Sequence, residues 1–268
     1  MAKLEELYPP SDTHPSMSAV TGDGKAVEQL ISHMIMHGGL FMSAVSLLPA
    51  NSPRLRDPKF MADRADLSGG SSMSLDALAA RRPVALSELH DFLYLLETKM
   101  LSDNRQWILN TDRPALADIE ALWLIYWLTV NPGALPDSLG PNVFPKVYAL
   151  LDRFLKAIDQ GKSEMGQLSK VDGTGVAELI SKSEFAEPEG DVDASDPWVV
   201  VKGLKKGDSV RLWPTDYGSN HKDEGILVSI SNKETVIDVK GSADNIRVHA
   251  PRHGFRVEHL QPTAQEHL

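Results

Sequence analysis

The run from Arg105 to Thr129, RQWILNTDRPALADIEALWLIYWLT, constrains the fold more than any other part of the chain. It is a polar turn leading into a helix that is apolar on nearly every side, with Ile119, Leu122, Trp123, Leu124, Ile125, Tyr126, Trp127 and Leu128 in near succession. A surface helix keeps a polar stripe, so a helix lacking one belongs inside a bundle. The rest of the chain must then supply helices to surround it. Helical spacing does dominate up to Phe185, and 268 residues with 42% hydrophobic content suffice for one large core and one small one.

Val27, Leu30, Ile31, Met34, Ile35, Phe41, Met42 and Val45 follow the three-four repeat of a helix over about 25–48, ended by Pro49. His33, His37, Leu40, Ala44 and Leu47 form a second stripe on the same predicted helix. A short helix is expected near 57–67, followed by the flexible GGSSMS. A long helix over about 75–101 carries Leu78, Leu86, Leu89, Leu93, Leu96 and Met100, and Pro83 inside it is expected to kink or split it. After the central helix and an Asn-Pro-Gly turn come an amphipathic helix over 144–158 and a short one over 174–185.

The text then changes. EFAEPEGDVDASDP, from Glu184 to Pro197, holds six acids, two prolines and no base, a composition that solvates rather than folds. Beyond it WVVV, DSVRLW, GILVSI, TVIDV, IRVHA and GFRVEHL alternate with Gly, Asn and Asp turns, the pattern of short antiparallel strands. The expected fold class is mainly α, a helical bundle followed by a small antiparallel SH3-like β-barrel. The expected divisions are an extended N-terminal segment over 1–20, a helical domain over 21–186, an acidic linker over 187–197 and a barrel over 198–262.

Composition removes several functions. With no cysteine, disulfides, thiolate metal sites and Cys nucleophiles are out. The formal charge of −10 argues against a nucleic-acid partner, which needs clustered Lys and Arg. No run of about 18 apolar residues occurs, so no membrane span is expected, and MAKLEELYPP lacks the layout of a signal peptide. A cytoplasmic protein is the expectation.

ELHDFLYLLETKMLSDNRQWILNTDRPALADIEALWLIYWLT followed by FPKVYALLDRFLKAI resembles the C-terminal helical domain of glutathione transferases, in which a long helix passes through a polar turn into a buried central helix. That family places a Ser or Thr three residues before an Asp to close the first turn of the central helix; here Asp118 matches but the cap position is Ala115. The stretches LKKGDSVRLWPTDYGSNHKDEGILV and IRVHAPRHGFRV resemble, more specifically, fungal transferase-like proteins that carry a small barrel behind the helical domain. The family holds its tripeptide mainly through an N-terminal thioredoxin-like domain. The start of this chain looks like the end of such a domain and the linker after it, so nothing here maps onto a glutathione site. The resemblance leaves the hydrophobic substrate site, which the family builds largely from the helical domain. Were an upstream thioredoxin-like domain encoded before Met1, glutathione transfer would return as the expected activity.

His33 and His37 lie one helical turn apart, so their rings can share a space. Read as chemistry, they are a general acid and base at a pocket lined by Met36, Leu40, Phe41, Trp123 and Trp127; read as structure, they are polar residues beside a groove. No third ligand stands nearby in the sequence, so no metal is expected. Tyr126 is a further candidate whose hydroxyl could reach a ligand. In the strand region Trp213, Asp216, His221, Lys222, Asp223, His249, Arg252 and His253 collect polar and aromatic groups, though turn chemistry explains much of them. GDGK at 22–25 is too short for a phosphate loop and reads as a helix start.

The leading expectation is a transferase-like protein that reuses its helical pocket for a hydrophobic small molecule, without a cofactor, as a cyclase, isomerase or dehydratase of fungal secondary metabolism. The alternative is a non-catalytic module whose groove binds a partner chain or a second copy, giving a homodimer.

Overall fold

The computed structural model describes residues 2–12, 15–69, 74–185, 189–241 and 245–260. In chain order these form helices α1 (Ala2–Leu7), α2 (Gly22–Met36), α3 (Leu40–Ser46), α4 (Pro53–Arg56), α5 (Pro58–Leu67), α6 (Leu75–Leu95), α7 (Leu116–Thr129), α8 (Pro145–Glu164), α9 (Gly173–Lys182) and α10 (Pro197–Lys202). Strands β1 (Ser209–Pro214), β2 (Asp223–Ile230), β3 (Glu234–Lys240), β4 (Asn245–Pro251) and β5 (Phe255–His259) follow. The chain divides into two compact units, Met1–Asp57 with Met73–Leu168, and Pro58–Ser72 with Ser169–Leu268. This division differs from the expected one: the break falls after Leu168 rather than at 186, and the segment around α5 belongs with the strands. Within the expected extended N-terminal segment, residues 2–7 are helical.

In the first unit, Thr21 accepts from the Gly24 amide at 3.1 Å and opens α2, so GDGK is indeed a helix start. The expected single helix over 25–48 is two helices. Gly39 sits at φ 90°, a backbone state that a side chain disfavours, and the chain turns there before α3 begins. α6 behaves in the opposite way: it runs unbroken across Pro83. Both Pro83 and Ala79, whose carbonyl lost its usual donor, lie on the exposed side, so water can take that carbonyl. α6 then relaxes into one π turn, Leu96–Met100. That turn sets Glu97 against the start of α8, where its carboxylate accepts from the amides of Lys146 and Val147 at 3.0 Å each.

α7 starts at Ala115 with no side-chain cap, and the other half of the box survives. Asp118, fully buried, accepts from the Ala115 amide and from the Ile108 amide, both at 2.9 Å, and so ties the preceding turn to the helix. In that turn the Arg105 guanidinium grips Asp103 and holds its carboxyl at about 2. Ala117, Ala121, Leu122, Leu124, Ile125 and Leu128 fill the core with Leu89, Phe92, Leu93, Leu96 and Leu150 from α6, the π turn and α8. The expectation that α7 is enclosed all round needs correction: Trp123 and Trp127 are only partly buried, and Tyr126 and Val130 are 42% and 54% exposed.

In the second unit the strands form one antiparallel sheet in the order β4-β3-β2-β1-β5. Only three residues, 252–254, join β4 to β5, although these strands occupy opposite edges. The four steps from Pro251 to Phe255 span at most roughly 14 Å, whereas a flat five-stranded sheet is roughly 19 Å across. The sheet must therefore curl. It does not close, since among the described residues no ladder joins β4 to β5; five of the six expected strands are present and the barrel is open. Gly225 allows one close approach, for a Cβ there would collide with the Asp238 carbonyl oxygen.

Two further expectations change in this unit. WVVV is not a strand: Asp196 accepts from the amides of Trp198 and Val199 at 2.8 and 3.1 Å, Pro197 occupies the first turn, and α10 results. The acidic segment is no free linker either. The Asp193 amide donates to the Ile230 carbonyl at 3.0 Å, the Ile230 amide to the Asp191 carbonyl at 3.2 Å, and Val192 bridges Ile230. Arg252, itself mostly buried, binds Asp196 at 2.9 Å. Burial alone would raise the Asp196 carboxyl, but Arg252 and the two α10 amides outweigh it and hold it below its ordinary value. α5 joins this unit through Asp66, 2.7 Å from His221, and through the Leu67 carbonyl, which accepts from the Gly218 amide. No helix among the described residues is long and apolar enough to cross a membrane.

Candidate functional site

The sequence-derived candidates fall into two groups around α2, α3 and α7. His33 lies in the last turn of α2, and His37 is the residue that ends the helix, its amide donating to the His33 carbonyl at 2.8 Å. The ring centroids are 5.0 Å apart at 55°, so the structure does bring this pair together. Both residues are exposed. The stripe that joined them to Leu40, Ala44 and Leu47 in the sequence is cut at Gly39: those three are core residues, at 6%, 0% and 0% exposure. Leu40 thus packs inward with the bundle, while Met36 is 45% exposed.

The second group is aromatic. Phe41, on the first turn of α3, lies 5.9 Å from the Trp123 ring and 6.1 Å from the Trp127 ring, with tilts of 42° and 34°. Trp123 and Trp127 are one turn apart on α7, and all three rings are half-buried. This spacing is that of mutually attractive aromatic rings. Tyr126 lies beside them on the helix, exposed, and its hydroxyl makes no hydrogen bond among the described residues. Leu30 on α2 and Val130 just after α7 are also exposed, at 67% and 54%.

Of the polar collection in the strand region, His221, His249, Arg252 and Lys222 have partners within that unit. His221 faces Asp66, His249 lies 3.1 Å from Glu234, Arg252 holds Asp196, and the Lys222 ammonium sits 4.5 Å from the centre of the Trp213 ring. These contacts organise turns and strand pairs.

Sequence reasoning missed one feature of the first unit. Arg82 of α6 donates from Nη1 to the Leu47 carbonyl at 2.6 Å, and from Nη2 to the Gly133 and Ala134 carbonyls at 3.2 and 3.0 Å. It joins the end of α3, α6 and the Asn-Pro-Gly turn. Beside it lies a cleft of about 180 Å³. Nothing in the spacing of ARRPVAL distinguishes Arg82 from its neighbour Arg81, which instead lies 3.7 Å from Glu88, a carboxylate that also accepts from the buried Ser43 hydroxyl.

Comparison with known proteins places this arrangement. A model for a domain family of unknown function, DUF7962, matches residues 43–163. None of the curated proteins matches the chain. Among solved structures, a GST-like protein from Pseudomonas syringae is similar over 97% of this chain and 74% of its own, at 23% identity and a TM-score of 0.60. The chain thus has a GST-like fold.

Proposed function

We propose that the helical unit is a GST-like binding domain for a hydrophobic small molecule, which lies against Phe41, Trp123 and Trp127 with the His33 and His37 imidazoles at its edge. The observation that carries this reading is the half-buried cluster of Phe41, Trp123 and Trp127, with Phe41 four residues after His37 in the chain. Aromatic walls with a few polar groups are the ordinary make-up of small-molecule sites. An imidazole can donate through one ring nitrogen and accept through the other, so one ring can take a proton while the other gives one, which is what an isomerisation, cyclisation or dehydration of a bound substrate needs. In a fungal cell, secondary metabolism is where such substrates arise. Met36 and Tyr126 flank the ligand in this reading, and the chain needs neither metal nor cofactor for it.

The experiment is native mass spectrometry of the purified chain for retained apolar ligands, with 8-anilinonaphthalene-1-sulfonate as a titrated probe. Trp123→Ala and Trp127→Ala are expected to weaken the probe by about tenfold while His37→Ala leaves it bound. If both Trp variants bind the probe like the original, the site is elsewhere. Turnover of a retained ligand, once found, is expected to fall in His33→Ala and His37→Ala; undiminished turnover would remove the acid-base role. Glutathione added to the same assay tests transferase chemistry directly.

A second reading is favoured by the exposure of the large apolar side chains Leu30, Met36, Tyr126 and Val130, of the kind that another chain can cover. In it the face joins two copies in a homodimer. Sedimentation of the full chain would then show a concentration-dependent dimer that Tyr126→Arg abolishes, and a monomer at all concentrations would exclude it.

A further inference from the structure

The cleft beside Arg82 is separate from the α2, α3 and α7 face and has its own chemistry. Its walls are the side chains of Leu48, Leu55, Leu75 and Leu78, with Ala79 and Pro49, and its one charged lining residue is Arg82. Leu55 and Leu78 are core residues at 4% and 8% exposure, so the walls are held by the bundle rather than by mobile surface groups. At about 180 Å³ the cleft has the volume of about six liquid waters, at roughly 30 Å³ each, which suits a short-chain ligand rather than a drug-sized one.

Arg82 is half-buried and permanently cationic. Its three bonds go to neutral carbonyls, which position the guanidinium without neutralising it. Among the described residues no carboxylate lies within ion-pair distance of it, in contrast to Arg81, Arg105, Arg211, Arg247 and Arg252. Five N–H groups are available on a guanidinium and three are used, which leaves one on Nε and one on Nη1. A cation removed from water attracts an anion far more strongly than one in bulk solvent.

We propose that this cleft is a binding site for a short-chain aliphatic monocarboxylate, whose carboxylate pairs with Arg82 and whose chain of about four to six carbons fills the leucine-lined floor. The apolar walls select the tail and the single unneutralised charge selects the head. A dianion would leave its second charge against leucines, and a neutral alcohol would forgo the charge-assisted bond.

The test uses the full chain and hexanoate, with 1-hexanol and hexylamine as probes of equal length. Backbone amide shifts followed by NMR are expected to saturate with hexanoate at Leu75 to Arg82 and at Gly133, with 1-hexanol and hexylamine at least tenfold weaker. Ala79→Leu, on the exposed side of α6, narrows the cleft and leaves the guanidinium in place; it is expected to weaken hexanoate at least tenfold with an unchanged circular dichroism spectrum. Arg82→Lys keeps the charge but not the three-carbonyl geometry, and is expected to bind hexanoate more weakly than the original and more tightly than Arg82→Met. Equal binding of hexanoate and 1-hexanol, saturation at other residues, no saturation at all, or an unaffected Ala79→Leu variant would each overturn the proposal. The wild-type comparison of the three probes stands even if the Arg82 variants fail to fold.

Discussion

Asp118 does at one position what a capping pair normally does at two. Its carboxylate holds the Ile108 and Ala115 amides, and the hydroxyl that would complete the box is replaced by the methyl of Ala115. The Asp118 amide already donates to the Ala115 carbonyl at 3.0 Å, so Ala115→Ser adds a second, side-chain acceptor at this helix start and is expected to stabilise the chain by up to about 1 kcal/mol. Thermal unfolding reads this directly, and an unchanged or lower midpoint would show that the buried position rejects the hydroxyl. Acid distinguishes Asp118 from Glu5. Burial raises the Asp118 carboxyl above its ordinary value despite its two amide bonds, so its contribution is present below the unfolded pKa and is lost as pH rises through the folded one. Glu5 is the reverse: bonds from the Met17 amide, and then from the Ser16 hydroxyl and the Ser18 amide, hold it below its ordinary value, so its contribution is present above 4.5 and is lost as pH falls through the lowered pKa. On acidification from about pH 6 to pH 3, the Met17 and Ser18 amides are therefore expected to lose hydrogen-exchange protection before those of Ile108 and Ala115. The opposite order would contradict this assignment.

At the scale of elements, the breaks were harder to read than the helices. Periodicity marked α6, α7, α8 and all five strands, because each presents a consistent face to a core. It ran straight through Gly38 and Gly39, because apolar residues on both sides happen to keep the three-four rhythm; what decides there is a backbone angle that composition does not show. Gly39→Ala is expected to cost roughly 1–2 kcal/mol, measured by denaturant unfolding, since it forces a side chain into the left-handed region. The valines of α10 carry strand propensity, yet Asp196 and Pro197 supply a cap and a first turn that override it. Glu97 is the device at the start of α8, and nothing in the spacing of LETKM announces it, because a π turn aims it. Glu97→Ala is expected to destabilise by about 1 kcal/mol, with exchange at Lys146 and Val147 rising first. The candidate site was legible only in part: the pairing of His33 with His37 followed from helical spacing and Phe41 was expected to line a pocket with the two tryptophans, while Arg82 could not be singled out, because its three acceptors come from segments 35 to 52 residues away.

For the whole molecule, the decisive feature is that the second unit is not continuous in sequence. Residues 169–268 expressed alone would lack the Asp66 contact to His221 and the Leu67 carbonyl that accepts from Gly218. Such a fragment is expected to melt several degrees below the same sheet in the full chain, as a loss of about 1 kcal/mol shifts a domain of this size by roughly 4–8 °C. Equal melting of the sheet in both would show that α5 adds nothing. The same discontinuity governs the order of events during synthesis. Asp66 and His221 are 155 residues apart, so α5 leaves the ribosome on the order of 10–30 s before its partner exists. Meanwhile Phe60 and Met61 emerge on a short helix with no fully buried residue, while the helical unit can complete itself with residues 73–168. Throughout that interval Phe60 and Met61, half-buried in the finished fold, lack the strands they belong with.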